Sequence, residues 1–309
     1  MSIATDLLYE LGGAPVSGRR FSNPFATHWF VDGINGHDGM DGHTPKTAKK
    51  AVDTAVQKMG VGDVLYIRPQ TYIVGTGHAR YTECATIDLA QSDLTIIGAS
   101  YPKSNEFGVR MKATSSQVQC FLIDGPSCHF ENIGFFGDGT ATYTIYARNN
   151  GASNTQRGTD GISFYQCNFK GAPAFVNGGQ AARFIDCVFN NATGELWLAS
   201  NSVTGVNQQV KGCAFLDTAQ QTAPTHPQLG QSAGANVVDL WVHGCYFGMI
   251  PTTTPYYINF TGANCTGLVS ACYFDTVNLD TDTDIQFGST FSLLVGCYDK
   301  TGLVDATND

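Results

Sequence analysis

The sequence predicts an all-β chain wound as a single-stranded parallel β-helix, a solenoid, and three observations predict it. The first is a phrase that recurs through the C-terminal half: Gln166-Cys167-Asn168-Phe169, Asp186-Cys187-Val188-Phe189, Gly212-Cys213-Ala214-Phe215, Gly244-Cys245-Tyr246-Phe247 and Ala271-Cys272-Tyr273-Phe274. A worn copy reads Gly296-Cys297-Tyr298, and an earlier copy without cysteine reads Asn132-Ile133-Gly134-Phe135. The second is spacing: successive cysteine copies stand 20, 26, 32, 27 and 25 residues apart, as fixed strands joined by connections of variable length would. The third is alternation within each copy, as in Phe164, Tyr165, Gln166, Cys167, Asn168 and Phe169, which is the period of a strand. Stacked one per turn, such strands place the cysteines in one interior column and the phenylalanines in the next.

The cysteines Cys167, Cys187, Cys213, Cys245, Cys272 and Cys297 are therefore read as a structural ladder. No CxxC pair occurs, the spacings suit no zinc ribbon or finger, and ten cysteines in 309 residues are too dilute for a disulfide scaffold. A free thiol behaves as a small apolar side chain and suits a narrow stack, which implies assembly in a reducing host cytoplasm. Cys84, Cys120, Cys128 and Cys265 fall outside the series.

Composition agrees. Charged residues make up 14 %, below the usual quarter of a soluble domain, while glycine is abundant and serves tight corners. A net charge of −9 argues against a nucleic-acid partner, since phosphate binding needs a basic patch. No stretch approaches a membrane span, and the opening Met-Ser-Ile-Ala-Thr-Asp lacks the pattern of a secretory signal.

Three zones follow along the chain. Residues 1–27 form an arm, with Ile3, Leu7, Leu8 and Leu11 at helical spacing before Gly12-Gly13, then an irregular stretch holding Arg19, Arg20 and Phe21. So short an apolar face must dock, either as a lid on the solenoid or on a partner. Residues 28–75 form a capping segment and first coil. His28-Trp29-Phe30-Val31-Asp32-Gly33 reads as a strand and turn, and Thr44-Pro45 opens a helix whose apolar face runs through Ala48, Ala51, Val52, Ala55, Val56 and Met59. The run from Asp63 to Pro69, followed by Thr71-Tyr72, returns as a strand. Residues 76–309 form the β-helix body, allowing nine or ten turns and a prism ~45–50 Å tall at ~4.8 Å per strand.

Phe30-Val31-Asp32-Gly33, His37-Asp38-Gly39, Thr44-Pro45-Lys46-Thr47-Ala48 and the run from Gly62 to Tyr72 resemble the opening of right-handed parallel β-helix proteins of the pectate-lyase-like superfamily. Such openings are frequent in bacteriophage tailspikes, virion-surface spikes and carbohydrate-active enzymes. The resemblance implies a right-handed β-helix and side-by-side association in threes; it speaks for fold more than for activity.

Candidate chemistry is sparse. Pectate-lyase-type catalysis would need clustered aspartates and an arginine base, and no Arg-x-Pro-x-x-Arg phrase occurs. Glycoside hydrolysis needs two carboxylates on one groove, yet the glutamates number only Glu10, Glu83, Glu106, Glu131 and Glu195; Glu131 and Asp186 precede core columns in nearby coils and could share a face, as could many pairs by chance. Asp32, Asp38 and Asp41 share a glycine-rich loop, where Ca2+ binding and Asx turns explain the acids equally well. His37 and His43 flank that loop as turn residues. Two polar excursions, 149–160 and 217–236, offer binding or subunit contacts. Trp197, Trp241 and Tyr256-Tyr257 offer aromatic surface, for sugars or for packing between subunits.

The expectation is a non-enzymatic structural protein of a bacteriophage particle, a homotrimer acting as capsid decoration (cement) or surface spike. It would be held to other virion proteins through its arm, with no catalytic residues and no nucleic-acid or membrane partner. The alternative is a tailspike or carbohydrate-active enzyme that grips or cuts a host surface polysaccharide.

Overall fold

A computed structural model describes residues 26–70, 72–73, 77–78, 80–88, 90–99, 108–113, 119–137, 143–148, 159–172, 174–190, 196–198, 204–216, 227–231, 236–248, 256–260, 264–276, 279, 285–287 and 294–304. The strands sort into three long faces. The first stacks ten parallel strands: His28–Val31, Val64–Ile67, Thr95–Gly98, His129–Glu131, Ser163–Tyr165, Arg183–Ile185, Gln209–Lys211, Leu240–His243, Gly267–Ser270 and Leu294–Val295. The second runs from Tyr81–Thr82 through Val109–Lys112, Ile133–Phe136, Asn168–Lys170, Val188–Asn190, Ala214–Phe215, Tyr246–Phe247 and Tyr273–Phe274 to Cys297–Asp299, all parallel. Its last member, Gly302–Val304, turns back antiparallel against Cys297–Asp299. The third face holds eight parallel strands, from Ala85–Ile87 to Ile285–Phe287. Each turn visits the first, second and third faces in that order, and a short ladder of Gly179–Gln180, Gly205–Val206 and Val237–Val238 leads back toward the first.

Corners between faces need a sharp change of direction, and at two sets of corners the backbone supplies it with one left-handed residue each. From the first face to the second these are Asn132, Gln166, Asp186, Gly212, Gly244, Ala271 and Gly296, with φ between 50° and 63°. Entering the first face they are Gly62, Asp93, Ser127, Gly161, Ala181, Asn207 and Asp239. Glycine adopts this conformation freely and Asn or Asp at modest cost; alanine and glutamine hold it under strain.

The residue after each first-to-second corner points inward. In register down that column stand Val109, Ile133, Cys167 and the following five ladder cysteines, all buried. Two residues on lies a phenyl column: Phe135, Phe169, Phe189, Phe215, Phe247 and Phe274 stack with centroids 5.3, 4.8, 4.8, 4.7 and 4.8 Å apart. Phe130, Phe164 and Phe184 form a second stack on the first face at 5.0 Å, continued by Val210, Val242, Val269 and Leu294. All belong to one continuous core. Parallel in-register strands impose this: identical residues on successive rungs have nowhere to go but above one another.

The cap departs from the sequence reading in one respect. Instead of a single helix opened at Thr44-Pro45, a 3-10 turn spans Pro45–Thr47 and an α-helix only Val52–Val56. Thr44 and Thr47 cap each other, and then Lys49 extends to pair with Val31, its N–H donating to Phe30 O while Asp32 N–H donates to Lys49 O. That bridge unwinds the segment. Helix resumes where Glu83 accepts from Val52 N–H and Asp53 N–H at 3.1 and 2.8 Å. Val52, Ala55, Val56 and Met59 still seal the end of the core, and Trp29, buried there, donates its Nε1 to Asp63 at 2.9 Å. The arm residues Ile3, Leu7, Leu8, Leu11, Arg19, Arg20 and Phe21 lie outside the described residues.

Candidate functional site

The cap loop holds its acids in turn-forming roles. Asp32 accepts from the N–H groups of Ile34 and Asn35 at 2.9 and 3.0 Å and from Arg68. Burial alone would raise its carboxyl, but those N–H groups and the guanidinium hold it below the ordinary value. Asp38 accepts from Lys50 N–H and Ala51 N–H at 3.0 and 2.9 Å, and Asp41 from His43 N–H at 3.0 Å. The positive charge in the loop is the buried Lys49 ammonium, which donates to the carbonyls of Asp38 (2.9 Å) and Met40. His37 takes Gly39 N–H at 3.0 Å and His43 packs on Trp29. Among the described residues no three histidine, cysteine or acidic side chains converge to hold a metal ion.

On the outer side of the first face the structure assembles a cluster that sequence reasoning missed. His129 Nδ1 lies 2.8 Å from Ser163 Oγ on the next rung, and its Nε2 3.5 Å from Glu131 Oε2. The signal was available: strand alternation turns His129 and Glu131 to the same side, and parallel register sets Ser163 beside His129. The order hydroxyl, imidazole, carboxylate is that of an acyl-transfer centre. Ser163, His129 and Glu131 are, however, only 6, 7 and 5 % exposed, so the hydroxyl is not presented to a substrate. His243 Nδ1 repeats the contact with Ser270 Oγ at 3.0 Å, as a plain cross-rung hydrogen bond. Glu131 and Asp186 are not brought together: Glu131 faces His129, while Asp186 makes a corner two rungs on.

The ladder thiols are all inside. Each donates to first-face carbonyls: Cys187 Sγ to Phe164 O (3.5 Å) and Ile185 O (3.4 Å), Cys213 Sγ to Phe184 O and Lys211 O (both 3.5 Å), Cys245 Sγ to Val210 O and His243 O (both 3.5 Å). Burial pushes the Cys187 and Cys213 thiols far above their ordinary range, and the neighbouring Cys245 thiol, with burial, pushes Cys272 up to about 12. Cys120, Cys128 and Cys265 are buried elsewhere, and none of the ten cysteines forms a disulfide. Cys84 is half-buried.

Aromatic surface divides in two. Trp197 is half-buried, edge-on to Phe175 at 5.9 Å and to Tyr143 at 6.5 Å, on the outside of the third face. Near the C-terminal end, large apolar side chains reach solvent around one corner: Trp241 (38 %), Tyr273 (36 %), Val295 (43 %), Tyr298 (49 %) and Leu303 (58 %). Tyr246 and Tyr273 stack at 5.7 Å and 4°, so their ring faces cover each other and mainly their edges face outward. Sugar stacking needs an open ring face, whereas a flat protein surface does not. Most of the two polar excursions, 149–160 and 217–236, lies outside the described residues. Among the described residues no helix is long and apolar enough to cross a membrane.

No protein-family model matches the chain, and no curated protein matches it. Among solved structures it is similar to a pectin methylesterase from carrot at 12 % identity, covering 88 % of this chain and 82 % of that one, with a TM-score of 0.49. A pectin methylesterase from Aspergillus niger aligns at 10 % identity over 92 % of each chain, TM-score 0.48. ORF18 of Geobacillus virus E2 aligns at 15 % identity over 81 % of this chain and 55 % of that one, TM-score 0.37. With three parallel faces wound in one direction around a shared core, the chain has a right-handed parallel β-helix fold.

Proposed function

We propose that this chain is a non-enzymatic structural protein of a bacteriophage particle, a trimeric capsid decoration or surface spike held to neighbouring virion proteins by residues 1–27. The observation that carries the reading is where reactive and apolar groups are spent. The described cap-loop carboxylates serve backbone N–H groups and Arg68, and the ladder thiols serve core carbonyls. The apolar surface of the last coils gathers at one corner suited to another protein. A closed threefold would bury such a corner without leaving a free copy of it. The test is protein mass spectrometry of purified particles with and without residues 1–27 of this chain. Full-length chain in stoichiometric amount and loss of the truncated chain are expected; continued incorporation of the truncated chain removes the docking role.

The alternative, a carbohydrate-active protein, has only the Ser163, His129 and Glu131 cluster to point to, and that cluster is closed to substrate. Release of oligosaccharide or of acyl groups when purified protein is incubated with host surface polysaccharide would overturn the structural reading.

A further inference from the structure

We propose that the thiol column is a binding site for soft, two-coordinate monovalent metal ions of the Cu+ and Ag+ class, one ion between each successive pair of cysteines. Parallel register places Cys167, Cys187, Cys213, Cys245, Cys272 and Cys297 at the same position of consecutive rungs, all turned into the core, giving five adjoining pairs. Rungs repeat at ~4.8 Å. A metal–thiolate bond is ~2.3 Å, so an ion bound linearly between two sulfurs spans ~4.6 Å, which matches the rung spacing. The column offers ligands in pairs along a line, never three about a point, which excludes ions that demand tetrahedral or octahedral shells. Soft thiolate sulfur selects the soft monovalent ions.

Charge selects them too. In a closed apolar core any net charge is costly. When a monovalent ion enters, one thiol gives up its proton to solvent, the metal–sulfur bond replaces the sulfur–hydrogen bond, and the next sulfur donates a lone pair. One positive charge enters and one leaves, with no change of oxidation state.

The experiment is titration of the full reduced chain, in a Cys84→Ala background, with Ag+, read by native mass spectrometry after desalting and by proton release in weak buffer. Up to five retained ions and one proton released per ion are expected. The variants give the sharper reading. Cys213→Ala removes an interior rung and two adjoining pairs, so capacity falls by two; Cys297→Ala removes an end rung, so it falls by one. If Cys213→Ala does not fold, Cys272→Ala, also interior, replaces it with the same expected loss of two. No retained ions, or equal losses from interior and end variants, would overturn the proposal.

Discussion

The corner residues allow a test with opposite signs at equivalent positions. Ala271 and Gly244 occupy the same place on successive rungs, at φ 52° and 62°. A side chain with a Cβ pays about 1–2 kcal/mol to sit in the left-handed region. Replacing alanine by glycine returns about 0.4–1 kcal/mol to the unfolded chain's freedom. Ala271→Gly should therefore stabilise the body by roughly 0.5–1 kcal/mol. Gly244→Ala should destabilise it by a similar or slightly larger amount, and the cost is pure backbone strain because the added Cβ meets nothing within 4 Å. In urea, with a slope of about 3 kcal/mol/M, the midpoints should move by about 0.2–0.3 M in opposite directions at unchanged slope. Unmoved midpoints for both variants, or both moving the same way, would refute the account of the corners.

Three further outcomes follow from the same geometry. Phe215→Ala opens the middle of the phenyl stack and should cost about 3–5 kcal/mol, read as a shift in urea midpoint, while Tyr298→Ala at the exposed corner should cost little. Cys213→Ser should destabilise the chain by about 1–3 kcal/mol, toward the lower end because Phe184 O and Lys211 O remain as acceptors; native thiol labelling should modify Cys84 and spare Cys213. Burial raises the Glu83 carboxyl, so the folded state holds its proton to higher pH than the unfolded chain and stability is lost as pH climbs from the unfolded value to the folded one. Glu83→Gln should thus gain on wild type as pH rises above the ordinary carboxyl value; a urea-midpoint difference that stays constant with pH would remove the claim.

Much of the fold was legible because the parallel solenoid writes its geometry as repetition. Ile133 stands in the cysteine place of its phrase and in the cysteine column of the structure, since register depends on the pattern and not on sulfur. Three things were hidden, each for a non-local reason. The cap helix is short because Lys49 pairs with Val31, a contact that helical spacing among residues 45–59 does not register. Cys120, Cys128 and Cys265 are buried like the ladder although they follow no phrase; Cys128 lies one residue past the other set of corners. The meeting of His129 with Ser163 depends on which rungs adjoin, and that requires knowing the 34-residue length of that turn.

The antiparallel return of Gly302–Val304 closes the second face to a further parallel rung. A stack of parallel rungs presents a template at each end, and another molecule wound in the same sense can add to it as a fibre grows. Reversing the final strand of the second face replaces the template with a pattern that no like-wound rung continues. With Val52–Val56 laid over the opposite end of the core, each described end of the prism carries a feature that works against a further rung stacking along the axis.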